Sequence, residues 1–189
     1  AAVDWNISKF TMDSQLSESV NEVFVKLYEE GLIYKDKRLI NWDPQIKSAV
    51  SDLEVTQRDV VGNLWFIKYK IADCNSNIIV ATTRPETMFG DTAIAIHPKN
   101  NKLNSSIGKE AIIPFLNKKI PIIADDYADP EKGSGAVKIT PAHDFNDFVI
   151  GKKHNLEFVN IFDSSAKLNS NVPKSFVGLD RFNARTKIV

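Results

Sequence analysis

The chain is 189 residues long, 43% hydrophobic and 25% charged, which fits one folded domain with its own core, or one domain with flanking stems. Its 24 basic residues balance 24 acidic ones, so the basic excess of a free-standing nucleic-acid binder is missing, and any RNA contact must come from local patches or from another part of a larger protein. A single cysteine, Cys74, excludes an intrachain disulfide and fits a reducing compartment, while no apolar run of about 18 residues and no signal-peptide pattern at residues 1–6 is present.

In chain order, the first expected element is a helix over residues 14–30. Leu16, Val20, Val23, Phe24, Leu27 and Tyr28 recur there at spacings of three and four and give one apolar face. Asp13 or Ser14 caps its start and Gly31 ends it. The period then changes, and residues 39–42 and 49–55 read as short strands. In residues 64–71, Trp65, Ile67, Tyr69 and Ile71 share one face and Lys68 and Lys70 the other. Asn75, Ser76 and Asn77 form a turn into a strand over 78–82. Further strands are expected over 92–96, 111–113, 120–123 and 136–139, punctuated by Pro98, Pro114, Pro121 and Pro130. A helix starts near Asp144 and runs to about His154, and the polar stretch 163–173 reads as loop. Many short strands with helices toward the ends predict an α+β fold: a closed or nearly closed β-barrel core with peripheral helices. The chain begins without Met and reads as a piece excised from something longer.

Two segments carry chemistry. The first, residues 81–91, runs Ala-Thr-Thr-Arg-Pro-Glu-Thr-Met-Phe-Gly-Asp and places hydroxyls and a guanidinium where a strand ends, a common position for binding groups. A purely structural reading is a capped turn, with Thr83 or Thr87 capping a short helix and Arg84 pairing with Glu86 or Asp91. The second, residues 133–147, runs Gly-Ser-Gly-Ala-Val-Lys-Ile-Thr-Pro-Ala-His-Asp-Phe-Asn-Asp. Its glycines allow close backbone approach to a ligand. Lys138 and Thr140 share a strand face, and Asp144 and Asp147 share a face at a helix start. Asp144 as N-cap and Asp147 as complement to the helix dipole is the structural alternative to a carboxylate that grips a substrate cation. The spacing of a phosphate loop is missing, as is a Gly-x-Ser-x-Gly elbow. His143 and Asp144 are adjacent, which is poor geometry for a shared metal, and no metal is expected.

Together, and in this order, the two segments resemble the editing domain inserted into the valyl-, isoleucyl- and leucyl-tRNA synthetases of class I. Thr82-Thr83-Arg84-Pro85-Glu86-Thr87 with Gly90-Asp91, and Val137-Lys138-Ile139-Thr140-Pro141 ahead of Ala142-His143-Asp144, look like the valyl branch; a leucyl sequence would carry Arg where Asn146 stands. The likeness covers nearly the whole chain. It implies stem regions over 1–57 and 176–189, leading toward a parent catalytic domain, around a barrel core over 58–175 that holds the editing site. The ATP-binding signatures of the parent are absent, so ATP belongs to the parent alone and no cofactor is implied here.

The resemblance further implies hydrolysis of threonine from mischarged tRNA(Val), in the cytoplasm and away from membranes, on the 3′ end of that tRNA. Asp147 matches the carboxylate that holds the α-ammonium; Lys138 and Thr140 join it as catalytic candidates. Arg84, Thr83, Thr87, Asp91, Asp144 and His143 are substrate-binding candidates, with Arg84 or Lys138 facing an oxyanion or an RNA phosphate and Thr140 or Asp144 reading the hydroxyl. No activated nucleophile is evident, which implies direct attack by water. Basic patches for RNA are expected at Lys118-Lys119, Lys152-Lys153 and Arg181/Arg185. The alternatives are isoleucyl or leucyl editing, a catalytically silent RNA-binding module, and a metal-dependent phosphohydrolase using His143, Asp144 and Asp147.

Overall fold

The computed structural model describes residues 4–189, which divide into two compact units, the first ending at residue 38 and the second spanning 39–189. Residues 1–3 of the expected N-terminal stem lie outside the described residues. In the first unit, a 3-10 turn (Trp5–Ile7) precedes α1 (Ser14–Glu29). The helix closes as its glycine dictates: Gly31 adopts φ +73°, and the N–H groups of Leu32 and Ile33 both donate to the Leu27 carbonyl. Leu16, Val20, Val23, Phe24 and Leu27 line one apolar groove, and no residue of α1 is buried.

The second unit opens with a hairpin, β1 (Asn41–Asp43) and β2 (Ser48–Val50), paired antiparallel. The strand expected over 49–55 stops early. Ser51 and Glu54 form a reciprocal capping box, and the chain turns into a 3-10 turn at Asp52–Glu54 instead.

The barrel follows: β3 (Trp65–Ile71), β4 (Asn77–Thr82), β5 (Ala93–Ile96), β6 (Glu110–Ile112), β7 (Lys119–Ala124) and β8 (Ala136–Ile139). Their spatial order is β4-β3-β6-β7-β5-β8. The β5–β7 pairing is parallel and the other pairings antiparallel, and β4 lies back against β8, so the sheet nearly closes. Alternation along β3 turns Tyr69 and Ile71 inward, onto Ile78, Val80, Ile94, Ile96, Ile120 and Ile122.

Every residue of β5 is buried, because Ile94 and Ile96 fill the interior while Ala93 and Ala95 face Ala128, Ile139 and Ile150 of the outer layer. Ile150 belongs to α2 (Phe145–Lys153), and α3 (Arg181–Ile188), capped by Asp180, closes the chain. No strand or helix was expected between 163 and 173, and the segment is turn-rich, yet Leu168 and Val172 are buried with Met88, Phe89 and Phe176 in a second core. Among the described residues, no helix is long and apolar enough to cross a membrane.

Candidate active site

The first chemical segment leaves β4 and enters a 3-10 turn (Pro85–Gly90), all six residues of which are buried. Neither Thr83 nor Thr87 caps it. Arg84 is the N-cap, and the Thr87 hydroxyl donates to the Arg84 carbonyl at 2.9 Å. Arg84 donates from Nη1 to the His143 carbonyl at 2.8 Å, which ties the first segment to the second; its Nε lies 3.9 Å from Glu86. Glu86 itself, fully buried, takes a two-pronged grip from Arg185 of α3 at 2.8 and 2.7 Å.

The second segment leaves β8, breaks at Pro141 and starts α2. Asp144 is the N-cap, accepting from the N–H groups of Asn146 and Asp147 at 2.8 and 3.1 Å. The glycines before β8 are packed against protein. A Cβ on Gly133 would stand 2.9 Å from Ala81, and one on Gly135 2.7 Å from Asn100, so their role is close packing of protein on protein.

Between the segments lies a cavity of about 260 Å³. Thr83, Arg84, Thr87, Lys138, Thr140, His143, Asp144 and Asp147 all line it, together with Leu64, Ala81, Thr82, Val137 and Tyr127. Arg84 and Asp147, 63 positions apart in sequence, thus share one pocket. Asp91 does not line it. It sits behind the wall, 1% exposed, where Oδ1 accepts from Lys138 Nζ at 3.1 Å and from the Thr140 hydroxyl at 2.6 Å, and Oδ2 accepts from the Tyr69 hydroxyl at 2.6 Å. Burial pushes the Asp91 carboxyl up, against the pull of Lys138 and its hydrogen bonds, and pushes the Tyr69 hydroxyl well up.

Lys138, 7% exposed, also donates to Thr87 Oγ1 at 2.8 Å and Thr140 Oγ1 at 2.6 Å. An ammonium has three N–H bonds, and Thr87, Thr140 and Asp91 take all three.

Asp147 is 6% exposed and accepts from the Thr140 N–H at 2.8 Å. Burial raises its carboxyl to about 6; the Thr140 N–H opposes this, and the neighbouring Asp144 and Asp91 carboxylates add to it. Tyr127 stands beside Asp147, and its hydroxyl is shifted upward by burial first and by the Asp147 and Asp144 charges next. His143 is held neutral: burial, then the Arg84 and Lys138 charges, lower it to about 4. Its Nε2 accepts from the Ile161 N–H at 3.0 Å and its ring stands edge-on to Phe162, so the imidazole is turned to the 159–162 segment while its carbonyl serves Arg84.

Several basic residues expected to form RNA patches are engaged within the chain. Lys118 pairs with Glu157 at 2.7 Å, Lys119 with Glu110 at 3.0 Å, Lys153 with Asp125 at 2.7 Å, and Arg185 with Glu86. Lys152 and Arg181 lie over the Phe148 and Phe182 rings. Tyr127 was not anticipated: it lies in an irregular stretch with no local signal, and only the fold carries it to α2.

Residues 1–177 match the profile of the tRNA synthetases class I (I, L, M and V). The chain belongs to this family. The valine–tRNA ligase of Syntrophotalea carbinolica is 57% identical over all of this chain and 21% of its own length. That of Pelagibacter ubique is 55% identical over 98% of this chain and 21% of its own length. The chain therefore spans about a fifth of the length of these curated relatives. Among solved structures, an Agrobacterium radiobacter LeuRS, determined as a ternary complex with tRNA and LeuAMS, aligns with a TM-score of 0.51 at 18% identity, covering 95% of this chain and 31% of that one. At that identity the likeness is one of fold.

Proposed function

We propose that this chain is the editing domain of a valine–tRNA ligase and hydrolyses threonine from mischarged tRNA(Val). The observation that carries the reading is the single cavity in which the buried Asp147 and the cation Arg84 meet, between two segments that resemble an editing site. The need for such a site is physical. An apolar pocket rejects poorly an isostere that merely adds a hydroxyl, for which valyl-tRNA synthetase against threonine is the standard illustration. A second, polar site reverses the preference, because polar wall atoms bonded by a hydroxyl are left unpaired by a methyl.

In this reading Asp147 receives the α-ammonium. A carboxylate raised by burial is costly when ionised and alone, and an incoming cation offsets that cost, so the site is tuned to a positive group. Arg84, half exposed, supplies charge for the oxyanion that forms as the ester opens, or for the RNA phosphate beside it. Lys138 acts through its charge and through Thr87 and Thr140, since its own N–H groups are occupied. Water attacks the ester carbon directly, held by the cavity against a bond that is already labile. The chemistry uses no cofactor in this domain; ATP serves the parent enzyme's aminoacylation site.

A deacylation panel tests the reading. Thr-tRNA(Val) should be hydrolysed, with Val-tRNA(Ile) and norvalyl-tRNA(Leu) spared, activity should survive a chelator, and Asp147→Ala should abolish it without unfolding the protein. Hydrolysis of either sister substrate in preference would reassign the branch. No hydrolysis of any of the three would leave a silent RNA-binding module, and a trapped covalent intermediate would overturn direct water attack.

A further inference from the structure

The side chains that line the cavity are organised by one that does not. Proton by proton, the network behind the wall runs in a single direction. A hydroxyl has one proton to give and two lone pairs to receive. The Thr140 proton goes to Asp91 Oδ1 at 2.6 Å, and one Thr140 lone pair takes Lys138 at 2.6 Å. The Thr87 proton goes to the Arg84 carbonyl at 2.9 Å, and one Thr87 lone pair takes Lys138 at 2.8 Å. Each threonine oxygen retains a lone pair and no proton. Tyr69, fully buried on β3, fastens the far oxygen of Asp91 and keeps the carboxylate from turning away.

We propose that Asp91, held by Tyr69, is the positioning residue that sets the hydrogen-bond direction of the cavity wall, so that Thr87 and Thr140 meet the aminoacyl side chain only as acceptors and select a hydroxyl that donates. The inference rests on the deacylase reading above and deepens it by naming residues outside the cavity that decide between a hydroxyl and its isosteres. A methyl group in the same place leaves the acceptors unpaired, and a fluorine, which has no proton, does no better. Removing the Asp91 acceptor frees the Thr140 hydroxyl to rotate, and the wall then offers a proton as well as a lone pair.

The test measures kcat/KM for deacylation of tRNA(Val) carrying threonine, valine, or the threonine analogue with fluorine in place of the hydroxyl. Wild type should hydrolyse both proton-less substrates about tenfold less well than the threonyl ester, the size of one buried hydrogen bond. Asp91→Ala should narrow the gap between threonyl and fluoro substrates to about threefold. Asp91→Asn should keep the full gap, because the Lys138 ammonium holds the amide carbonyl toward itself and Thr140, leaving the amide N–H₂ to Tyr69. A merely structural role would lower all three substrates in proportion and leave the ratios unmoved. If Asp91→Ala does not fold, Tyr69→Phe replaces it, with the same direction and a smaller change.

Unaltered ratios in a folded Asp91→Ala or, failing that, Tyr69→Phe protein would overturn the proposal, as would a wild type that hydrolyses the fluoro and threonyl esters equally. A wild type inert toward the threonyl ester would instead remove the deacylase reading on which it stands.

Discussion

Asp147→Asn should yield a protein that is more stable at neutral pH and yet holds its substrate far more weakly. The carboxyl is buried at 6% exposure and raised from 3.8 to about 6. Raised that far by burial, the carboxyl makes its ionised form cost the native state about 3 kcal/mol. The sign follows from the direction. Because the folded value is the higher one, the site's favourable contribution is complete below about pH 4 and is lost as pH rises through about 6. Asn keeps an oxygen for the Thr140 N–H and has no charge to bury. The two proteins should therefore be similar near pH 4 and differ by up to about 3 kcal/mol near pH 7, Asn the more stable. Urea unfolding from about pH 4 to about pH 8 reads the difference directly. In parallel, wild-type kcat/KM for Thr-tRNA(Val), corrected for uncatalysed hydrolysis, should fall below about pH 6 as the carboxylate protonates, and the Asn protein should show no such inflection. Stability curves that run parallel across the range would refute the reasoning.

Lys138→Met should destabilise by about 3–5 kcal/mol, since it strands the buried Asp91 charge, and Lys138→Met with Asp91→Leu should lose less than the sum of the single changes in a denaturation cycle. Arg185→Ala should cost a similar ~3–5 kcal/mol, because Glu86 is fully buried and loses both prongs of its partner; a loss under about 1 kcal/mol would class the pair with surface ion pairs. Gly151→Ala should destabilise by about 1–3 kcal/mol and weaken deacylation, because its Cβ would stand 2.7 Å from the Pro141 ring and push the turn that carries His143 and Asp144; Gly62→Ala, with open space around it, serves as the neutral comparison in the same melts.

Elements with a strong period were legible in the sequence. The helix expected over 14–30 forms as Ser14–Glu29, and the alternation in β3 correctly separates Tyr69 and Ile71 from Lys68 and Lys70. The β-barrel core with peripheral helices follows from many short strands. The Ser51–Glu54 capping box that ends β2 is a local Ser-x-x-Glu signature, legible in the sequence but overridden by the strand expected over 49–55. Features set by tertiary contact were not legible. The helix α3 carries Ala184 into a core with Met88, which no local pattern announces.

At the site, adjacency in sequence identified which residues gather but not which way they face. Asp91 lies one position past the 3-10 turn yet points behind the wall, and Gly133 and Gly135 serve packing against Ala81 and Asn100. Hydrogen-bond direction depends on partners as much as 51 positions away, as for Lys138 and Thr87, and is visible only in three dimensions.

The most direct measurement is a crystal structure of the protein with a non-hydrolysable threonyl-adenosine analogue. The α-ammonium should lie about 2.8 Å from an Asp147 carboxylate oxygen, with the threonine hydroxyl against Thr140 or Thr87 and the carbonyl toward Arg84. An analogue seated outside the cavity, or with its ammonium turned away from Asp147, would contradict the account.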